Sequence, residues 1–347
     1  MDETAFRILD TLSRGPGEQL SIRGLTRAIR SLHGTAHYAN TYHAARKLQR
    51  EGSLRFARGG NAQLVSLGLG SPPAINALAE MELTKRRLLF QRLKTLRHAF
   101  ESLSELPAFG PVSLIDPERN ANLNRVELLL CLPAGLAPGR EPEGLFRELH
   151  ALERKLNIRI DALALSESDF RALLAARDRN PLKEMLSRQT VLLGPDLFWF
   201  LIWRAWAQGI EIHFDRGETN PAKIPEGQIL HNLTRFGYEE FGQRPEGGED
   251  LGIEFLAIAL LLKRDARLKA AAAVLLAKNR ASYPVLLFLS RKHGVEAETL
   301  GLLEAVDRLR PEAGRRTAIR ALAERGVVAV PADRRHIERT MRTYDAV

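Results

Sequence analysis

Residues 20–66 read LSIRGLTRAIRSLHGTAHYANTYHAARKLQREGSLRFARGGNAQLVS, and their pattern decides how the N-terminal part of the chain folds. Ser21 has the residue type that caps a helix, and Ile22, Leu25 and Ile29 follow at helical spacing, which predicts a helix over 22–29. After the turn 31–34, Thr35 is the expected cap of a longer helix running to Arg50, with Tyr42, Ala45 and Leu48 facing inward. Glu51-Gly52 ends that helix. Two short runs, 53–58 and 63–66, flank Gly59-Gly60-Asn61, a combination rich in residues that tolerate positive φ and therefore a hairpin turn. Working outward, 3–13 carries Phe6, Ile8, Leu9 and Leu12 on one face before the Gly15-Pro16-Gly17 break, and Gln19-Leu20-Ser21 is a short extended piece.

Charge is concentrated in the same region. The whole chain of 347 residues carries a formal net charge of +9. Residues 1–70 hold ten Lys and Arg against five acids, a balance of +5 and over half of the excess. A local cationic excess is what phosphate neutralisation requires, because each Lys or Arg contact releases condensed counterions. A solvated arginine-rich surface accounts for the charge equally well, so the charge alone does not choose.

The order helix, short strand, helix, turn, helix, hairpin resembles the winged helix-turn-helix transcriptional regulators. The resemblance rests on Ser21-Ile22-Arg23-Gly24-Leu25, Asn40 to Leu48 and Glu51-Gly52-Ser53-Leu54, about a fifth of the chain. It implies that the second helix of the pair enters the major groove of double-stranded DNA. Tyr38, Asn40, Thr41 and His43 are then the candidate base or backbone contacts, Arg46 and Lys47 the phosphate contacts further along, and Arg55 and Arg58 the contacts from the wing. A winged helix used only for protein contacts is the competing reading. His33, His37 and His43 lack cysteines or carboxylates at ligand spacing, so no metal is expected there, and His33 and His37 read as polar surface or DNA-facing residues.

Ser71-Pro72-Pro73 stops the hairpin, and a helix without Gly or Pro is expected to Leu103, with Leu89, Leu93, Leu96, Phe100 and Leu103 spaced 4-3-4-3. Such a seam serves either a coiled-coil dimer or packing on the next domain, and its two heptads favour packing. From Val112 the pattern alternates: strands at 112–115, 126–132 and 158–165, a helix over 143–156, a capped helix after Ser166 to Ala176, and a closing strand at 190–194. Residues 85–195 resemble the minimal nucleotidyltransferase domain, which implies a Gly-Ser phosphate loop and an Asp-x-Asp pair and third carboxylate that bind Mg²⁺. Here Arg125-Val126-Glu127 aligns with Asp-x-Asp, and Asp116-Pro117 or Gly110-Pro111 stands where Gly-Ser belongs. Only Glu127 and Asp161 remain as acids, so a catalytically degenerate scaffold is expected, with no cofactor.

The remaining sequence contains the aromatic cluster Phe198, Trp199, Phe200, Trp203 and Trp206, read as core in preference to a partner interface. Residues 214–250, rich in Gly and Pro, are expected to be irregular, and 255–262, 266–278, 283–293, 297–309 and 315–324 to form a helical bundle. Lys263, Arg264, Arg267, Lys269, Lys278 and Arg280, and separately Arg334, Arg335, Arg339 and Arg342, form basic clusters that solvated helix faces explain as well as a partner does.

The apolar runs at 197–202 and 255–262 are far shorter than the roughly 20 residues that span a bilayer. A single Cys131 excludes an intramolecular disulfide, and with no secretory pattern at the start the cytoplasm is the expected compartment. The expected architecture is therefore α+β and multidomain: a winged helix-turn-helix at 1–70, a linking helix at 71–108, a nucleotidyltransferase-like α/β domain at 109–195 and a helical C-terminal domain at 196–347. The expected function is double-stranded DNA binding, regulatory or architectural. The alternative is an active Mg²⁺-dependent nucleotidyltransferase of the toxin–antitoxin or defence kind. A homodimer or protein partner at the C-terminal half stays open.

Overall fold

A computed structural model describes residues 1–93, 97, 101, 110–117, 125–132, 145–239 and 248–346. Among them the chain is α+β, with fifteen α-helices and two small sheets. Helix α1 (Glu3–Ser13) starts where the Asp2 side chain accepts the Ala5 N–H, and it buries Ile8, Leu9 and Leu12. Ser21 caps α2 (Ile22–His33) by accepting from the Gly24 N–H. Strand β1 (Leu20–Ser21) pairs antiparallel with β3 (Ala62–Leu67), which pairs in turn with β2 (Leu54–Gly59); Gly59 faces Ala62 at the hairpin end.

Two boundaries differ from the sequence expectation. Helix α2 runs on to His33 and stops at Gly34, whose φ of 82° only glycine adopts easily. Helix α3 (Tyr38–Arg50) then begins after His37, not after Thr35. Thr35 is otherwise engaged: its carbonyl and hydroxyl both accept from the Arg7 guanidinium, at 2.9 and 3.1 Å.

Helix α4 (Pro72–Arg92) joins this module to the second sheet. That sheet has the order β6-β5-β4-β7, with β4 (Val112–Ile115) antiparallel to both β5 (Arg125–Cys131) and β7 (Gln189–Leu193), and β5 parallel to β6 (Arg159–Leu165). Strand β7 is an edge, and an unpaired edge is a template for unwanted pairing. Helix α4 covers it with side chains: Glu82 accepts the Val191 N–H at 2.9 Å, while Lys85 and Arg86 donate to the Gln189 and Leu192 carbonyls at 2.9 and 2.8 Å.

The parallel pair β5–β6 is bridged by α5 (Leu145–Leu156), and β6 continues into α6 (Glu167–Ala175), capped by Ser166 as its sequence implied. A short helix α7 (Pro181–Leu186), started by Asn180, was not legible in the sequence.

Alternation along the strands divides the sheet into two faces. Val126, Leu128, Leu130, Ile160 and Ala164 pack with Leu149 and Leu152 of α5 and with Leu89 of α4. Leu93 lies against the same cluster, so both seam leucines within the described residues pack on the sheet; Leu96, Phe100 and Leu103 lie outside them.

The opposite face, with Leu129, Cys131, Leu163 and Leu165, belongs to a core that continues from Ala5 to Ala346. The apolar core is thus unbroken across positions 70 and 195. It takes in α8 (Pro195–Ala207), α9 (Glu226–Arg235), α10 (Ile253–Leu262), α11 (Ala266–Lys278), α12 (Tyr283–His293), α13 (Glu296–Leu309), α14 (Ala313–Glu324) and α15 (Arg334–Thr343). Residues Ile253 to Leu261 of α10 are all buried, which makes it the central rod of the helical half. Helix α9 lies in the segment expected to be irregular; Ile229 and Leu233, four apart, give it the buried side that organises it. Among the described residues no helix is long and apolar enough to cross a membrane.

Candidate nucleic-acid interface

Helix α3 turns Ala45 and Leu48 into the core, and the periodicity that buries them also buries Thr41. Thr41 is 1% exposed and its hydroxyl donates to the His37 carbonyl at 2.9 Å, so it is a packing residue and not a base contact. The outer face carries Tyr38, Asn40, His43, Lys47 and Arg50, all exposed. Tyr38 stacks on Tyr42 at 6.4 Å and His43 meets the edge of Tyr42 at 5.7 Å, which orders the aromatic end of this face. Asn40 makes no hydrogen bond among the described residues. Lys47 lies 3.5 Å from Asp2, both well exposed, a pairing that holds it only weakly.

Arg46 is a strut. Its guanidinium donates to Tyr42, Gln49 and Gln63 at 3.2, 2.8 and 2.9 Å and lies 4.4 Å over the Phe56 ring, bracing α3 against the hairpin. Arg55 is exposed and sits over the Trp206 ring of α8 at 5.6 Å. Between them passes Gly70, where an added Cβ would come within 2.7 Å of both the Arg55 guanidinium and the Trp206 ring. Arg58, near the hairpin tip, is exposed and unpaired. Arg23 and Arg27, one turn apart on α2, are exposed and unpaired as well. In the sequence Arg27 stood out only as part of the charge count, and Arg23 beyond that only within the Ser21 to Leu25 stretch, not as an expected DNA contact.

His33 and His37 share no helix face. His37 precedes α3, and His33 ends α2 with its ring 3.3 Å from buried Asp10. This corrects the expectation of a surface or DNA-facing His33. Burial works against charge on Asp10, but Lys85 at 3.2 Å, His33 and Arg14 outweigh it and hold the carboxyl well below the usual carboxylate range. Burial pushes neighbouring Glu82 up, only partly offset by Lys85 and the Val191 N–H. A small buried charge cluster therefore ties α1, α2 and α4 to the edge of the second sheet.

Glu127 and Asp161, paired in register on β5 and β6, point toward the helical half. Asp161 is fully buried and takes hydrogen bonds from three guanidiniums: Arg125, Arg159 at 3.0 Å and Arg291 at 3.3 Å. Glu127 is held by Lys292 at 2.8 Å, which also meets Glu218 at 2.5 Å. Arg125 further donates to the Lys292 carbonyl at 3.0 Å. Arg291 and Lys292 come from the end of α12, so cations from the helical half neutralise both carboxylates. Burial, with Lys292 and Arg125, drives the adjacent His293 down to about 4.

The loop N–H groups are committed too: Gly110 donates to the Cys131 carbonyl at 3.0 Å and Asp116 to the Arg188 carbonyl at 3.1 Å. No group of three or more His, Cys, Asp or Glu among the described residues is arranged to hold a metal ion. No protein-family model matches the chain, and no curated protein or solved structure resembles it closely enough to count as a relative.

Proposed function

We propose that the N-terminal module binds double-stranded DNA as a winged helix-turn-helix, with α3 in the major groove and the β2–β3 hairpin as the wing. The observation that carries this reading is the outer face of α3, where the side chains of Asn40 and His43 stand exposed without hydrogen-bond commitments, together with Arg23 and Arg27 on α2 and Arg58 on the hairpin, which are exposed and unpaired among the described residues. An amide in the groove can read adenine bidentately, and free guanidiniums neutralise phosphates without first breaking ion pairs. Thr41 and Arg55 drop out of the proposed contact set, and Arg46 acts by fixing the angle between α3 and the hairpin.

The second sheet is a nucleotidyltransferase-like scaffold without catalysis in this reading. A carboxylate already neutralised by three guanidiniums is a poor ligand for Mg²⁺, and the four cations around Glu127 and Asp161 repel a further one. The role is regulatory or architectural, with the helical half serving assembly.

Fluorescence anisotropy on a labelled random duplex tests the proposal. Binding should weaken linearly in log K against log salt, with a slope near −0.9 for each phosphate contact. Absence of binding at about 50 mM salt would refute DNA as the ligand. Incubation with Mg²⁺ and an α-labelled nucleoside triphosphate should give no transfer; incorporation abolished by Glu127→Gln would restore the enzymatic reading.

A further inference from the structure

Helix α8 is two-sided in an unusual way. Phe198 and Trp199 are buried in the core together with Ile202 and Ala205, as expected of this cluster, whereas Phe200 and Trp206 are exposed, which corrects the reading of the whole cluster as core. The side facing away from the buried residues keeps large apolar groups in solvent: Leu197 is 53% exposed and Phe200 42%, with Trp203 half-buried and 5.2 Å from the Phe200 ring, while Trp206, 38% exposed, ends the stripe of Trp199 and Ile202. Contiguous exposed aromatics of this size mark an interaction surface more often than an accident of composition.

The sequence of that face says what fits it. Counting from Phe200, Asp196 lies four residues before and Arg204 four residues after, and Leu197 and Trp203 lie three before and three after. If a second α8 packs antiparallel with its two-fold axis at Phe200, every position meets its mirror position. Asp196 then faces Arg204 of the copy, Leu197 faces Trp203, and Phe200 packs on itself. Such an isologous surface must be self-complementary, and this one is complementary in charge at both ends and apolar between them. Asp196 is exposed and makes no ion pair among the described residues of its own chain. Arg204 reaches Glu167 at 2.8 Å yet keeps its side chain 39% exposed, leaving donors for a second carboxylate.

We infer that the protein is a homodimer in which the two α8 helices pack antiparallel about a two-fold axis at Phe200. Trp206, further along the same helix, touches Arg55 of β2, so α8 connects the interface to the N-terminal module. The inference concerns the free protein and stands whether or not the ligand is DNA.

Sedimentation velocity on the full chain without DNA tests it over a range of concentrations. The native chain should sediment as a dimer, and Phe200→Glu as a folded monomer, its fold checked by an unchanged circular-dichroism spectrum. Asp196→Arg sets like charges across both ends and should raise the dimer Kd at least tenfold. Cys131 is buried, so a cysteine introduced at an exposed position is the reactive one. A short bismaleimide should join two chains carrying Phe200→Cys and fail to join chains carrying Ala207→Cys, which lies seven residues from the axis. A native monomer at tens of micromolar would overturn the inference. So would a dimer indifferent to Phe200→Glu, or equal cross-linking at positions 200 and 207.

Discussion

Three arginines of the N-terminal module and three around Asp161 are the same residue type in opposite states. Arg23, Arg27 and Arg58 lie in solvent with no partner, whereas Arg125, Arg159 and Arg291 converge on one fully buried carboxylate. The difference teaches that net charge measures capacity and carboxylate proximity decides availability. A guanidinium already bound to a buried acid must lose that bond before it meets a phosphate, and a free one loses only water. The N-terminal module therefore has guanidiniums to offer an anion, as the proposed DNA binding requires, and the second sheet uses its own to hold the helical half.

The largest effect that sharpens this contrast is on stability. Asp161→Ala leaves three guanidiniums gathered without their acid, and because those side chains are partly exposed the cost should be about 3 kcal/mol, at the low end for a broken buried pair. Urea denaturation measures it. Duplex affinity of the folded fraction should not change, and a large loss of affinity without a loss of stability would break the contrast.

Glu254 gives the next effect, because it is buried with a backbone N–H from Ser282 and no cation. Burial pushes its carboxyl up from 4.5 to about 7. A carboxyl with a raised folded-state pKa binds its proton more tightly in the native chain, so stability should fall as pH rises from about 4.5 to 7 and then level off. Glu254→Gln should remove that slope and stabilise the chain at pH 8 by roughly 2–3 kcal/mol. Asp10, with its cations, has the opposite sign: its contribution is full above the ordinary aspartate value and is lost as pH falls below it. Thermal melts of the native chain and Glu254→Gln between pH 5 and 8 read out the first slope.

Smaller effects belong to the exposed face. Asn40→Ala should reduce the gap between the best and a random duplex by about 1–2 kcal/mol while leaving the salt slope unchanged. Arg58→Ala should weaken all duplexes alike and flatten the slope by about 0.9. Arg55→Ala, which removes a contact to Trp206, should leave the slope where it is. Competition binding at several salt concentrations separates the three.

Much of this was legible in the sequence because it is local. Ser21 and Ser166 cap helices where their positions imply, and the Gly59-Gly60-Asn61 hairpin closes as its residue types dictate. Arg125 was legible too, as a cation two residues from Glu127. The cations from the helical half were not, because Arg291 and Lys292 lie 130 and 165 residues from the carboxylates they bind. Thr41 was misread for a different reason: a polar residue in a cationic helix suits a DNA face, but its spacing from Ala45 and Leu48 turns it inward. The contact of Arg55 with Trp206 was not legible, because Trp206 comes from a helix far along the chain.

The account rests most heavily on the unpaired arginines, so the most direct measurement is the salt dependence of duplex binding for a chain carrying Arg23→Ala, Arg27→Ala and Arg58→Ala together, beside the native chain. Native binding should follow a straight line in log K against log salt. The triple variant should remain folded, bind far more weakly at low salt and show a slope shallower by about 2 to 3. A triple variant that binds as tightly as the native chain, with the same slope, would contradict the assignment of the N-terminal module as the DNA-binding surface.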